Sequence, residues 1–487
     1  MLNIAKNNFF LSNQNPSAKA IVSSSLNLTY LELKERVLVA AEFLKNQNIS
    51  SGERVGILSQ NNSDFVINVL ALWQIYAVPV PINIRLTNFE IEEQLTLANC
   101  STILIQKEFF GKIKSSNIKK IFFVEVKTES TKFSAREELN LNDPAVIIFT
   151  SGSTSKSKGI ILSFECLYNS AVNGNHLLRY TISDRWLASL PFYHVGGFAI
   201  ITRAILFGIP LLIPDSLSAQ DLAQALNKWQ PTFISLVSTQ LKKLIDEGIA
   251  PNSELKNCLL GGGFTDHKLL TKANDNGWPV NMVYGSSETS SFVTALLKDE
   301  IIFKPNSVGR AVPTNKIQIC DNSGNELKPF EIGEIIVQSN ALMAGYLDKS
   351  ETEKVLKNGF YFTDDIGYLD EEGYLFLEGR INHLISSGGE NINPIEIEEI
   401  LVRHPSIQEA AVYPLKDDLW GEIVAASIVL SNESINLSLD EIKIFLKEKL
   451  PEFKIPKKIF VEEKLPKTDL GKVQKEKLIE RYKFTSL

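Results

Sequence analysis

Arg54-Val55-Gly56-Ile57-Leu58 is a short apolar run. It is followed by a helical pattern from Ser63 to Tyr76, a second apolar run from Ala77 to Ile82, a helical pattern from Thr87 to Ala98, and a third run, Thr102-Ile103-Leu104-Ile105. Runs of four to six apolar residues between helical patterns read as strands covered on both faces. The alternation of strand, helix, strand, helix and strand predicts a mostly parallel sheet with helices on both sides. Thr29 with Glu32, and Thr87 with Glu90, have the spacing of capping boxes, so each marks a helix start. Behind the first, Leu33, Val37, Leu38, Ala41 and Leu44 recur at helical spacing.

The same alternation returns between Leu187 and Met282. From Ser307 to Ser339 the texture changes. Lys316 to Cys320 and Glu334 to Gln338 read as short strands around the turn Asn322-Ser323-Gly324-Asn325, which predicts a β-rich subdomain. Beyond Arg380 lies a compact α+β stretch with apolar segments Ala410 to Tyr413 and Ile423 to Leu430. The expected fold is α/β. A large N-terminal domain over residues 1–380 has doubly wound, mostly parallel sheets plus the β-rich subdomain, and a small α+β C-terminal domain spans 381–487.

The 487 residues are 44% hydrophobic and 22% charged, as in a globular enzyme rather than a disordered or coiled-coil chain. A net charge of −7 makes nucleic acid a poor partner. The four cysteines, Cys100, Cys166, Cys258 and Cys320, are scattered, and their spacing suggests neither a disulfide framework nor a thiolate zinc site. Met1 to Ala20 is polar, and no apolar run reaches the roughly 20 residues of a membrane span. The expectation is a reduced, cytoplasmic, soluble protein. A homo-oligomer is compatible with the sequence.

Four clusters carry chemistry. Thr150-Ser151-Gly152-Ser153-Thr154-Ser155-Lys156-Ser157-Lys158-Gly159 follows the apolar strand Ala145 to Phe149. Its hydroxyls, glycines and lysines supply the N–H and O–H donors and positive charge that a polyphosphate needs. A flexible Ser/Lys surface loop has the same composition. A Walker A loop does not fit, because the two glycines are seven apart and Ile160 follows Gly159. Tyr284-Gly285-Ser286-Ser287-Glu288-Thr289 is a Gly/Ser turn with a carboxylate. Upstream of it, Leu259-Leu260-Gly261-Gly262-Gly263 ends a strand in a triple-glycine turn, where a flat ring could lie on bare backbone or where the chain simply turns. Tyr361 to Tyr368 contains Asp364-Asp365, and Gly379-Arg380 follows. A carboxylate suits a ribose diol and an arginine a phosphate, while a β-hairpin with surface acids is the plainer reading. Leu465 to Lys475 places Lys472 after Gly471, either as a mobile phosphate clamp or as one exposed lysine among many.

Together and in this order, the four clusters resemble the adenylate-forming superfamily of acyl-CoA synthetases, nonribosomal adenylation domains and luciferases. The likeness covers nearly the whole chain. It implies that the small C-terminal domain is mobile and rotates about a hinge at Asn382. It also implies two half-reactions: a carboxylate attacks the α-phosphate of Mg-ATP to give an acyl-adenylate and pyrophosphate, and a thiol then displaces AMP. By the same resemblance Thr150, Ser151, Gly152, Ser153, Thr154 and Lys158 form the phosphate loop. Gly262, Gly263, Tyr284 and Gly285 hold the adenine. Ser287 stands where the family has threonine, Glu288 binds Mg2+, Asp365 takes the ribose hydroxyls and Arg380 contacts the nucleotide. Lys472 stabilises charge on the α-phosphate and acyl oxygen. Three departures stand out: Ser155 and Ser157 replace the usual Gly and Pro, and Asp364 replaces the usual Gly.

Within the superfamily, Ser386-Ser387-Gly388-Gly389-Glu390-Asn391-Ile392 with Pro394 is similar to the C-terminal loop of o-succinylbenzoate–CoA ligases of menaquinone biosynthesis. Ile234 to Leu241 and Leu190-Pro191-Phe192-Tyr193-His194-Val195-Gly196-Gly197 are similar to that subgroup too. The subgroup implies that Ser387, Gly388 and Gly389 face CoA and that His194, Ser235 and Arg203 border the acyl pocket. Arg203 interrupts the apolar stretch Phe198 to Phe207, and a buried guanidinium needs an anionic or strongly polar partner. That partner is either the second carboxylate of a dicarboxylic substrate or a carboxylate of the protein. A 4-coumarate-like or fatty acid–CoA ligase, a carrier-loading module and an inactive relative are the alternatives. The implied ligands are a small carboxylic acid, ATP, Mg2+ and CoA.

Overall fold

The computed structural model describes the chain except for residues 1–5, 12–13, 124–130, 132, 137, 151–156, 263–264, 266, 382–384, 388–389, 418–420, 432–437, 448, 469–470 and 484–487. It divides into two compact units, one of residues 1–316 and 337–361, the other of residues 317–336 and 362–487. The architecture is α/β.

In the first unit, the stretch that opened the sequence reading forms a four-stranded, all-parallel sheet. Its order is Val78–Pro81, Arg54–Leu58, Thr102–Ile105 and Lys119–Phe122. The strands are buried on both faces, which is why they lack a period-two pattern. Both capping boxes form. The Thr29 Oγ1 accepts from the Glu32 N–H at 3.2 Å while the Glu32 carboxylate accepts from the Thr29 N–H at 2.7 Å, and helix Tyr30–Asn46 begins there. Thr87 and Glu90 do the same for helix Asn88–Leu97.

A second sheet carries most of the remaining strands. Lys19–Val22, Leu211–Leu212, Trp186–Leu187, Phe233–Leu236, Asn257–Leu260 and Val280–Tyr284 lie side by side, all parallel. Antiparallel strands Asn27–Thr29 and Thr294–Leu296 flank this run. Because Leu236, Leu260 and Met282 are in register, the loops after residues 236, 260 and 284 emerge together at one edge. In open parallel sheets the edge at the strands' carboxyl ends is where ligands bind. A third, antiparallel sheet joins Pro144–Thr150, Lys158–Ser163 and Gly345–Tyr346.

The second unit contains most of the antiparallel hairpin Phe360–Leu369 with Tyr374–Arg380 and most of Gly333–Gln338 and Lys316–Cys320, the strands expected of the β-rich stretch. It also holds a five-stranded sheet of Glu390–Ile392, Ile385–Ser387, Gly421–Leu430, Ile407–Asp417 and Lys458–Val461. Alternation along its two long strands sends Val412, Val424, Ala426 and Ile428 to one core and Ala411, Tyr413, Ile423 and Ala425 to another. Helices Pro394–Leu401 and Leu439–Lys447 cover the first of these cores, and Lys475–Tyr482 covers the second. Among the described residues no helix is long and apolar enough to cross a membrane.

Candidate active site

The Thr150 to Lys158 segment connects two antiparallel strands. Thr150 pairs directly with Lys158, so the segment is flanked by two paired antiparallel strands rather than by the strand and helix of a Walker A motif. Ser151, Gly152, Ser153, Thr154 and Ser155 lie outside the described residues. The base of the loop is tied by Ser157: its Oγ donates to the Thr150 carbonyl at 3.1 Å and accepts from Gln94 Nε2 at 3.0 Å. A hydroxyl where the family usually has proline thus has a bonding role.

Lys158 points to Glu351, with Nζ and Oε2 2.8 Å apart, and its ammonium lies 5.2 Å from the Tyr346 ring centroid. Lys158 and Lys354 hold the Glu351 carboxyl at about 2, well under the ordinary carboxylate range. The Tyr346 hydroxyl donates to Glu288 Oε1 at 2.8 Å. The third sheet therefore brings Lys158 and the candidate metal carboxylate Glu288 into contact with one tyrosine. Neither Tyr346 nor Glu351 stood out in the sequence, since only the pairing of Tyr346 with Ile160 brings them here.

At the carboxyl edge of the parallel sheet, Ser235 is in strand Phe233–Leu236, Gly262 follows Asn257–Leu260, and Tyr284 ends Val280–Tyr284. Gly262 has φ +85°, a conformation L side chains rarely adopt. Gly285 permits close approach: a Cβ there would lie 2.1 Å from the Ser291 carbonyl oxygen. The turn beyond is closed by Thr289, whose Oγ1 accepts from the Ser286 N–H at 2.9 Å. Ser287 sits in this turn, its carbonyl accepting from the Ser290 N–H. Gly263 lies outside the described residues. His194 is the N-cap residue of helix Val195–Phe207, half-buried, with its ring 4.8 Å from that of Tyr193.

Arg203 lies in that same helix and is 2% exposed. Its Nη2 makes one long contact, 3.4 Å, to Ser170 Oγ, and its Nε has no partner. Its guanidinium sits 5.6 Å from the Trp186 ring and 5.1 Å from the Phe292 ring. Burial lowers its pKa, and the Tyr180 hydroxyl opposes this. Among the described residues no carboxylate pairs with it, so the protein-carboxylate alternative has no support there.

In the second unit, Asp365 and Arg380 face each other across the hairpin, with Oδ1 and Nε 2.5 Å apart. Asp364 has φ +59°. This explains the family's glycine at that position, and Asp is among the few residues that tolerate the left-handed region. Lys472 follows Gly471, which has φ +80°, in a tight turn where the Thr468 N–H donates to the Lys472 carbonyl at 2.7 Å. Partial loss of hydration and then the positive Arg380 lower the Lys472 pKa, while Asp365 and Glu476 raise it. Asp365, Arg380 and Lys472 are thus one electrostatic group. Ser387 is set apart, buried in the hairpin Ile385–Ser387 with Glu390–Ile392. Gly388, Gly389 and Asn382 lie outside the described residues.

The family model of the AMP-binding enzymes matches residues 11–347, and that of the AMP-binding enzyme C-terminal domain matches residues 396–472. A 2-succinylbenzoate–CoA ligase of Bacillus thuringiensis subsp. konkukian is 36% identical over 448 residues, covering 91% of both proteins. A solved structure of the Bacillus subtilis o-succinylbenzoate CoA synthetase, in complex with its acyl-adenylate intermediate, superposes with a TM-score of 0.90 at 30% identity. That match covers 98% of each chain. The same enzyme with ATP and magnesium ion gives 0.90 at 31% identity, covering 97% of this chain and 99% of that one. The chain belongs to the AMP-binding enzyme family, and within it stands among the relatives of the 2-succinylbenzoate–CoA ligases.

Proposed function

We propose that this protein is an ATP-dependent 2-succinylbenzoate–CoA ligase that forms AMP and diphosphate through an acyl-adenylate, as in menaquinone biosynthesis. The observation that carries the choice of acid is Arg203: a guanidinium 2% exposed, with no carboxylate beside it among the described residues. A buried cation without an anion is expensive, and a dicarboxylic substrate supplies one. One carboxylate reacts and the other is held. An ordinary monocarboxylic acid leaves Arg203 uncompensated, which speaks against the 4-coumarate-like and fatty acid alternatives.

In this reading Lys158 and the backbone of the Thr150 loop bind the phosphates, and Ser287 adds a hydroxyl. Gly262, Gly263, Tyr284 and Gly285 take the adenine, Asp365 the ribose diol and Arg380 the nucleotide. Glu288 fits Mg2+, which binds through one or two carboxylates plus substrate phosphates. Bound there, the ion would neutralise phosphate charge, while the Tyr346 hydroxyl keeps the Glu288 carboxylate oriented. Lys472 places a positive charge where negative charge builds during adenylation, the preorganised stabilisation that contributes most to such steps. His194 and Ser235 border the acyl group, and Ser387, Gly388 and Gly389 face CoA. Residues 381–487 act as the small domain, turning at Asn382 between half-reactions. The cytoplasm, where ATP and CoA are available, is the proposed compartment.

The test is pyrophosphate release across a panel of carboxylic acids with Mg-ATP, followed by addition of CoA. The expected result is release with 2-succinylbenzoate far above that with coumarate or fatty acids, and a thioester once CoA is added. Preference for a monocarboxylic acid would refute the assignment of the acid.

A further inference from the structure

Arg203 Nε is one of several buried polar atoms in its neighbourhood that lack a partner. The Tyr180 hydroxyl, the Trp186 indole N–H and the Ser290 hydroxyl also have none. Their residues are 2%, 0% and 0% exposed, respectively. A buried hydroxyl or N–H without an acceptor costs about 1–3 kcal/mol, so four together are not a packing accident to be expected in an ordinary core.

Their residues are neighbours, linked through ring contacts. The Arg203 guanidinium lies 5.6 Å from the Trp186 ring, and that ring lies 5.3 Å from the Tyr180 ring. The Tyr180 hydroxyl and the Phe292 ring both press on Gly174: a Cβ there would lie 2.9 Å from the hydroxyl and 3.3 Å from Phe292 Cζ. Phe292 in turn lies 5.1 Å from the Arg203 guanidinium, which closes the circle. Ser170 bridges it, accepting from Arg203 and donating to the Ser290 carbonyl at 2.5 Å. Gly174 stands inside helix Phe164–Leu178, where glycine costs about 1 kcal/mol against alanine. The room it leaves for the Tyr180 hydroxyl accounts for it. Ser290, at φ +55°, has left-handed backbone, the kind of strain that collects at ligand sites.

We propose that Tyr180, with Ser290 and the Trp186 indole N–H, completes with Arg203 a cage for the non-reacting carboxylate of the substrate, and that the Tyr180 hydroxyl is a specificity-determining group. This rests on the dicarboxylic reading above. All four groups can donate. A carboxylate offers about four lone-pair sites on two oxygens, so one ion answers the whole set, which a neutral acyl tail cannot do.

The experiment compares wild type, Tyr180→Phe and Arg203→Met on two acids: 2-succinylbenzoate and 4-oxo-4-phenylbutanoate, the same skeleton with one carboxylate removed. Tyr180→Phe keeps the ring and its packing. It is expected to lower kcat/KM for 2-succinylbenzoate about 10- to 100-fold, the range for a hydrogen bond to a charged group. The monoacid should change less than about threefold, and the melting temperature should hold or rise, since a buried unpartnered hydroxyl is gone. Unchanged diacid turnover, or equal losses on both acids with a lower melting temperature, overturns the proposal. If Arg203→Met abolishes the preference for the diacid while Tyr180→Phe keeps it, the cage falls and the ligase reading stands. If the wild type itself shows no preference for the diacid, the substrate reading falls as well.

Discussion

Replacing Arg203 by methionine should make the protein more stable and less useful. The substitution keeps the length and apolar body of the side chain and removes its charge. In the ligand-free protein the charge gains little. One 3.4 Å contact to Ser170 and two aromatic faces at 5.1 and 5.6 Å offset its desolvation. Cation–π contacts of this kind are worth about 2 kcal/mol when desolvated, whereas burying an ion costs several kcal/mol after relaxation. The cost wins, and replacement by a well-packed apolar residue is expected to stabilise by about 1–4 kcal/mol. With substrate the balance reverses. Truncating one partner of a buried charge pair costs about 2–5 kcal/mol, or roughly 30- to several-thousand-fold in kcat/KM for 2-succinylbenzoate. Thermal melts with and without 2-succinylbenzoate, beside kcat/KM for the diacid and its monoacid analogue, test both halves. The wild type should gain in melting temperature from the diacid and Arg203→Met should not. A variant that melts lower and loses equally on both acids would show that Arg203 is satisfied by the protein itself, and the argument for a dicarboxylate would fail.

Three further outcomes are expected. Lys472→Ala should slow adenylation by at least about 100-fold, the scale for losing one preorganised transition-state contact, yet still convert a preformed acyl-adenylate to thioester; loss of both activities contradicts the assignment. Because Arg380 helps to lower the Lys472 pKa, the charged form is lost at lower pH than for an ordinary lysine, so the alkaline limb of the adenylation profile should move up in Arg380→Gln, and an unmoved limb would uncouple the two. Glu351→Gln should release Lys158 for phosphate and tighten ATP binding by no more than about fivefold, since a part-exposed ion pair is worth about 0–1 kcal/mol; calorimetric titration showing weaker binding would make Glu351 a positioning group instead.

The strands and helices that build the parallel sheets were legible because their signals are local. Arg54–Leu58 and Thr102–Ile105 are apolar runs that end where predicted, and the two capping boxes depend only on residues three apart. The Thr150 to Lys158 segment, the Tyr284 turn and the Lys472 stretch, from which the site is proposed, were likewise visible as compact motifs. What surrounds them was not. Tyr346 and Glu351 reach Glu288 and Lys158 because Gly345–Tyr346 pairs with Lys158–Ser163, strands separated by nearly 200 residues of chain. No residue in Gly345-Tyr346 advertises that pairing. Asp364 stood out in the sequence only as a departure from the family's glycine. Its left-handed backbone shows that the position selects for conformation, which a side-chain reading does not register.

The same limit applies to Tyr180 and Trp186, which no sequence motif singles out and which pack as buried aromatics. What sets their site apart is the contrast with the other deeply buried arginine among the described residues of the first unit. Arg136 is 6% exposed, and its guanidinium donates to the carbonyls of Trp73 at 3.1 Å and Glu138 at 2.8 Å and to the Asp143 carboxylate at 3.0 Å. Each nitrogen has an acceptor, and a protein carboxylate balances the charge. Arg203, more deeply buried, has one long contact and no acceptor for its Nε. The two sites face the same physics, in which a buried guanidinium must be paired and hydrogen-bonded. One is completed by the protein. The other lacks an anion among the described residues and lies beside further unpartnered donors, and a carboxylate has the charge and the acceptor count to answer them.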